Sequence, residues 1–175
     1  MKEFILGGAR SGKSDFANRI ALESGLKVIY IATAQAGDKE MAARIACHRA
    51  SRPAGWRLVE EPLALAYTLK SHADSEHFLL VDCLTLWLNN LLSNVDNKRV
   101  STEIGDLLDI LPNLPGHILL VSNEVGQGVI PANPLARRFC DVAGLLHQNV
   151  ARLCNRAIFV VAGLPITLKG RPIIV

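Results

Sequence analysis

The chain has 175 residues, half of them apolar, which suits one substantial core and is short for two domains. Its net charge of +3 is small and its 19 basic residues are spread along the chain, so no nucleic-acid footprint is expected. Cys47, Cys83, Cys140 and Cys154 show neither zinc-site pairs nor the density of a secreted disulfide scaffold, and the apolar run before Gly7 is too short for a signal peptide. The expectation is a cytoplasmic protein with no membrane span.

Residues 3–6 predict a buried strand ending at Gly7, and residues 13–24 a helix closed by Gly25 just past its end. Residues 27–32 (KVIYIA) are rich in β-branched and aromatic side chains and predict a second strand. Residues 38–50 follow as a helix with Asp38 as its N-cap, ended by Pro53 and Gly55. A short strand at 57–59, a helix at 62–72 begun by Pro62, and a core strand at 77–82 (HFLLVD) come next. Residues 84–93 and 101–111 read as helices separated by a polar turn at 94–98. Then come a strand at 117–122 (HILLVS), a long helix at 134–153 and a strand at 157–162 (AIFVVA). Residues 164–175, with Pro165, Gly170 and Pro172, fit either a terminal hairpin or a loose tail. Near-continuous apolar runs alternating with helices predict an α/β domain over residues 1–175, a mostly parallel sheet covered by helices on both faces.

Between the first strand and the first helix stands Gly7-Gly8-Ala9-Arg10-Ser11-Gly12-Lys13-Ser14, the G-x-x-x-x-G-K-S spacing of a phosphate-binding P-loop. Small residues let successive backbone N–H groups wrap an anion, and the helix N-terminus adds its positive dipole end. Lys13 is placed to bridge the β and γ phosphates and Ser14 to hold Mg²⁺. Asp82 closes an apolar strand, where a P-loop enzyme keeps its second Mg²⁺-organising acid; an Asp there is also a common helix N-cap, and the two roles are compatible.

Arg44, His48, Arg49 and Arg52 crowd a short stretch. Arg44 and His48 are four apart on the expected helix and share a face, so an imidazole and a guanidinium can meet one phosphate. A neutral imidazole is a competent nucleophile near pH 7. Attack by His48 on an α phosphorus would expel pyrophosphate already held against Lys13. The same residues also fit a solvated helix face beside the apolar stripe of Met41 and Ile45. Trp56 with Glu60 and Glu61 fits a ribose or base contact, or a solvated surface pair.

The segment 122–131 leaves the fourth core strand at its carboxyl end. It fits a glycine-containing loop over substrate, or an ordinary connection in which Asn123 and Glu124 cap nearby backbone. Asp141-Val142-Ala143-Gly144 lies inside an expected helix with no guanine motif elsewhere, so it is not read as a GTPase switch. His147 is expected to be a satisfied or exposed histidine, not a ligand.

Four blocks together resemble a known family, the bifunctional adenosylcobinamide kinases and adenosylcobinamide-phosphate guanylyltransferases. They are the P-loop; YIATA with Met41 to Ile45 and His48-Arg49; Arg52-Pro53 through Trp56 to Glu60-Glu61-Pro62; and Asn123 to Gly126 with Gly128 and Pro131. In the helix after Asp141, His147-Gln148 stands where the family pattern leads one to expect Asn-Gln. The resemblance implies a RecA-like P-loop fold and two reactions. A γ-phosphate from ATP or GTP goes to the aminopropanol hydroxyl of adenosylcobinamide, and GMP from GTP then goes to that phosphate through a histidine-bound intermediate, giving adenosylcobinamide-GDP and pyrophosphate. By this matching His48 carries GMP and Lys13 assists. Nucleotide contacts fall on Gly7, Gly8, Ala9, Arg10, Ser11, Gly12, Lys13 and Ser14, on Ala32, Thr33 and Ala34, on Arg49, Ala50, Ser51 and Arg52, and on Glu60 and Asp82. Ser14 and Asp82 are the expected Mg²⁺ ligands, and a homo-oligomer, a trimer by resemblance, is the expected assembly. A plain small-molecule kinase that does not use His48, or a nucleotide-gated binding switch, are the competing readings.

Overall fold

The apolar runs form the middle of a seven-stranded sheet in the computed structural model, which describes residues 1–50, 53, 55–94 and 96–172, apart from the side chains at 44, 47–50 and 94. The strands are β1 (Lys2–Gly7), β2 (Lys27–Ala32), β3 (Arg57–Glu60), β4 (His77–Asp82), β5 (His117–Asn123), β6 (Arg156–Val161) and β7 (Leu164–Lys169). The helices are α1 (Lys13–Glu23), α2 (Lys39–Ala50), α3 (Leu65–His72), α4 (Leu84–Asn94), α5 (Asn97–Ile110) and α6 (Pro134–Leu153). The sheet order is β3-β2-β4-β5-β1-β6-β7, parallel throughout except for the antiparallel β6–β7 pair.

Period-two alternation divides each central strand between two cores. Ile29 and Ile31 of β2, Leu79 and Val81 of β4, and Ile118 and Leu120 of β5 face one side, where α3, α4, α5 and α6 contribute Leu69, Trp87, Leu107 and Val150. Val28 and Tyr30, Phe78 and Leu80, and Leu119 and Val121 face the other, against Phe16, Ala17, Ile20 and Ala21 of α1. Burial on both faces explains why the strands read as unbroken apolar runs. Among the described residues, no helix is long and apolar enough to cross a membrane.

Several boundaries differ from the sequence expectation for local reasons. α3 starts at Leu65, not at Pro62, because the Glu61 carboxylate accepts from Leu63 N at 2.9 Å and Ala64 N at 2.7 Å, shaping a turn ahead of the helix. α5 starts at Asn97 because Asp96 accepts from Arg99 N at 2.8 Å, so the polar stretch expected to be a turn contains an N-cap and a first helical turn. Residues 164–169 form a hairpin with β6 through a two-residue turn in which Ala162 and Gly163 have φ of 51° and 78°. Positive φ at both positions is what a tight turn matched to strand twist requires.

Candidate active site

Parallel registry brings the strands' carboxyl ends to one edge. Gly7 of β1 lies opposite Asn123 of β5, and Ala32 of β2 lies opposite both Asp82 of β4 and Glu60 of β3. This is the edge where open α/β sheets bind ligands. The residues expected from sequence at 7–14, 32, 60 and 82 are therefore gathered by the sheet itself.

The P-loop turns where Arg10 and Gly12 adopt φ of 56° and 90°. Gly12 precedes α1 and no side chain caps that helix, leaving its first N–H groups for an anion. The glycines are needed for close packing. A Cβ on Gly7 would stand 2.5 Å from the Val160 carbonyl oxygen, and one on Gly12 would stand 3.1 Å from Gly163 Cα. Gly163 N also donates to the Ser11 carbonyl at 2.8 Å, so the β6–β7 turn braces the loop from below. Nothing in the sequence reading pointed to that brace. The Ser11 hydroxyl is buried with no hydrogen-bond partner among the described residues.

Lys13 is buried and its ammonium donates to the Gly8 carbonyl at 3.1 Å, folding back over the loop. Burial lowers its pKa, while the charge of Asp82 partly opposes that shift. Ser14 Oγ donates to Asp82 Oδ2 at 3.3 Å, and the Tyr30 hydroxyl donates to the same oxygen at 2.8 Å. A hydroxyl oxygen converging on a carboxylate oxygen beside a phosphate loop is a donor set that suits Mg²⁺, which takes one or two protein oxygens and fills its shell with phosphates and water. No group of three or more His, Cys, Asp or Glu that could hold a metal is present among the described residues.

A buried polar network stands beneath this edge. Thr33 Oγ1 donates to the Cys83 carbonyl at 2.7 Å and accepts from Cys83 N at 3.0 Å, and Asn90 Nδ2 donates to the Thr33 carbonyl at 2.7 Å. Thr33, expected as a nucleotide contact, therefore has its hydroxyl committed to the backbone after Asp82. Asn123 Nδ2 donates to Thr85 Oγ1 at 2.9 Å, and Glu124 N donates to the Gly7 carbonyl at 2.9 Å. The Cys83 thiol is pushed up to about 11 by burial and by Asp82 beside it, so it stays protonated and unreactive.

Other expected features resolve into structure. Glu61 braces the entry to α3, also accepting from Thr68 Oγ1 at 3.3 Å. Trp56 stacks on Tyr30 with ring centroids 6.4 Å apart. Glu60 is exposed on β3, and Ala34 follows Thr33 half-buried. Glu124 accepts from Gly126 N, so the loop after β5 is tied by the capping that one reading of the sequence expected. That loop and α6 flank a cleft of about 550 Å³ lined by Val125, Val129, Ile130, Cys140 and Leu145. His147 is buried and bonded to Ser122 Oγ at 2.7 Å, a satisfied histidine as expected. The side chains of Arg44, His48, Arg49 and Ala50, and all of Ser51 and Arg52, lie outside the described residues; the backbone of α2 carries position 48 in its last turn.

Comparison with known proteins agrees with this geometry. A solved structure of the RadB recombinase superposes with a TM-score of 0.55 at 17% identity, covering 97% of this chain and 81% of that one. An ATPase from a type III secretion system superposes with a TM-score of 0.54 at 15% identity, covering 95% of this chain and 56% of that one. At such identities the likeness concerns the fold, which is that of a RecA-like P-loop NTPase. A bifunctional adenosylcobalamin biosynthesis protein, CobP, from Pseudomonas aeruginosa is 61% identical over 99% of this chain and all of its own length. A bifunctional adenosylcobalamin biosynthesis protein, CobU, from Escherichia coli K12 is 36% identical over 97% of this chain and all of its own length. The family model described as cobinamide kinase / cobinamide phosphate guanyltransferase matches residues 3–168, and the chain belongs to that family.

Proposed function

We propose that this chain, as one cytoplasmic domain working in a homo-oligomer, phosphorylates adenosylcobinamide and then guanylylates the product. The convergence of Lys13, Ser14 and Asp82 on one phosphate loop carries the reading, and family membership supports the acceptor. In the first reaction the aminopropanol hydroxyl oxygen bonds to the γ phosphorus of ATP or GTP and loses its proton. The bond from that phosphorus to the β–γ bridging oxygen breaks, and the nucleoside diphosphate leaves. In the second, a ring nitrogen of His48 bonds to the α phosphorus of GTP and pyrophosphate leaves. An oxygen of the cobinamide phosphate then displaces the histidine from that phosphorus, and the P–N bond breaks.

Lys13 offsets charge growing on the leaving oxygens, and the uncapped N–H groups of α1 hold the phosphates in line. Ser14 and Asp82 would hold Mg²⁺, whose charge neutralises the polyphosphate. Arg44, Arg49 and Arg52 are placed by this reading around the α phosphate, with Ala50 and Ser51 between them. Gly8, Ala9, Arg10 and Ser11 surround the outer phosphates, and Ala32, Ala34 and Glu60 border the nucleoside. Incubation with α-labelled GTP and Mg²⁺ tests the reading. An acid-labile adduct absent in His48→Ala is expected. Phosphorylated acceptor without adduct would leave only a small-molecule kinase, and nucleotide-dependent partner binding without turnover would leave a switch.

A further inference from the structure

We propose that Tyr30 is a positioning residue that holds the Asp82 carboxylate in the orientation that receives the divalent cation. This rests on the reading that Ser14 and Asp82 are the metal ligands. Tyr30 stands on β2, one strand from β4, and it is only 4% exposed, with its ring in the core against α1. Registry pairs Ala32, not Tyr30, with Asp82, so the phenol reaches along the strand toward the carboxyl edge to make its 2.8 Å bond to Oδ2. That oxygen also accepts from Ser14 Oγ at 3.3 Å. Two donors from two different elements, β2 and α1, therefore meet on one carboxylate oxygen. A carboxylate on a half-buried strand end otherwise turns about its terminal torsion, which is broad for Asp. The two bonds remove that freedom before any cation arrives.

The phenol is itself held from outside. Trp56 is half-buried and stacks on Tyr30 with an interplanar angle of 29°. Trp56 stands just ahead of β3. A continuous series of contacts therefore runs Trp56, Tyr30, Asp82, Ser14, from the segment following the proposed guanylyl-carrying helix to the first turn of the phosphate-binding one.

Tyr30→Phe removes one hydroxyl and keeps the ring that fills the core. We expect it to weaken Mn²⁺ binding to the full-length protein–GDP complex, read by electron paramagnetic resonance with Mg²⁺ competition, on the order of tenfold. GDP affinity in the presence of EDTA stays unchanged. In an Asp82→Ala background the same substitution has no further effect on the cation if the phenol acts on it through that carboxylate; a merely structural role would act equally in both backgrounds. Trp56→Leu weakens the cation about threefold in the wild-type background and not in Asp82→Ala, and it serves if Tyr30→Phe does not fold. Unchanged or tighter Mn²⁺ binding in Tyr30→Phe, or an equal loss with Asp82→Ala present, overturns the proposal. No Mn²⁺ loss in Asp82→Ala alone would instead overturn the metal-ligand reading beneath it. The guanylyl adduct is a separate measurement that neither result decides.

Discussion

Lys13 and His147 show how burial sets charge in this protein. The Lys13 ammonium is held below its ordinary pKa by burial, against the pull of Asp82, so the free protein gives up that proton at a lower pH than an exposed lysine does. A bound polyphosphate favours the charged form. GTP affinity is therefore expected to decline as pH rises through the lowered value, and isothermal titration along a pH series checks it. Lys13→Ala should weaken binding by about 2–3 kcal/mol and remove that decline. His147 is lowered chiefly by burial, with the nearby charge of Glu124 opposing the shift. Its unfolded form takes up a proton first as pH falls through the ordinary histidine range of about 6.5. Stability should then drop from there down to the lower folded value, and thermal melts of His147→Gln between neutral and mildly acidic pH should show a flatter dependence. Glu3 works in the same direction further down. Burial pushes its carboxyl up, but bonds to His117 and Arg156 outweigh that and hold it below its usual value, so their stabilisation is lost as pH falls through the folded pKa.

At the scale of elements, the β6–β7 hairpin is the brace of the phosphate loop. Gly163 has φ of 78° and its N–H donates to Ser11, so Gly163→Ala should cost about 1–2 kcal/mol in chemical denaturation and also weaken nucleotide binding without touching the nucleotide. A loss of stability with nucleotide affinity unchanged would count against the brace. This element was only half legible in sequence. Residues 164–175 offered both hairpin and tail because the turn before them carries a non-glycine at positive φ, Ala162, which no residue preference announces. The start of α3 was misread for a related reason. Pro62 is a common first helical residue, but the Glu61 side chain captured the next two N–H groups and delayed the helix. The position of the loop at 7–14 between β1 and α1, by contrast, was legible, because the glycine spacing and the apolar run before it mark a strand–loop–helix turn.

Across the whole molecule, the α/β class was readable from apolar runs long enough to be buried on both faces, while the order of strands was not. Order depends on pairings between residues far apart, such as Lys2 with Ile118 and Lys27 with His77, which leave no local trace. Glu3 shows the same limit: an acid in a core strand makes sense only once His117 and Arg156 are beside it. Cohesion of the sheet should make the nucleotide stabilise the domain as a unit. At a GTP concentration about 100 times its dissociation constant the gain is about 2.7 kcal/mol, visible as a single shifted melt and mostly lost in Lys13→Ala.

The order also puts β5 between β1 and β4, so the strand bearing the phosphate loop and the strand bearing Asp82 never touch. Two interstrand steps of about 4.8 Å set their spacing, and Ser14, on the first turn of α1, bridges it. β5 is thus the gauge of the site. Its buried Leu119 and Val121 lie in the core against α1, and a change that slides that strand shifts the loop after β1 relative to Asp82. A substitution that displaces the β5 backbone should accordingly disturb the site from a strand whose apolar middle lies away from the carboxyl edge.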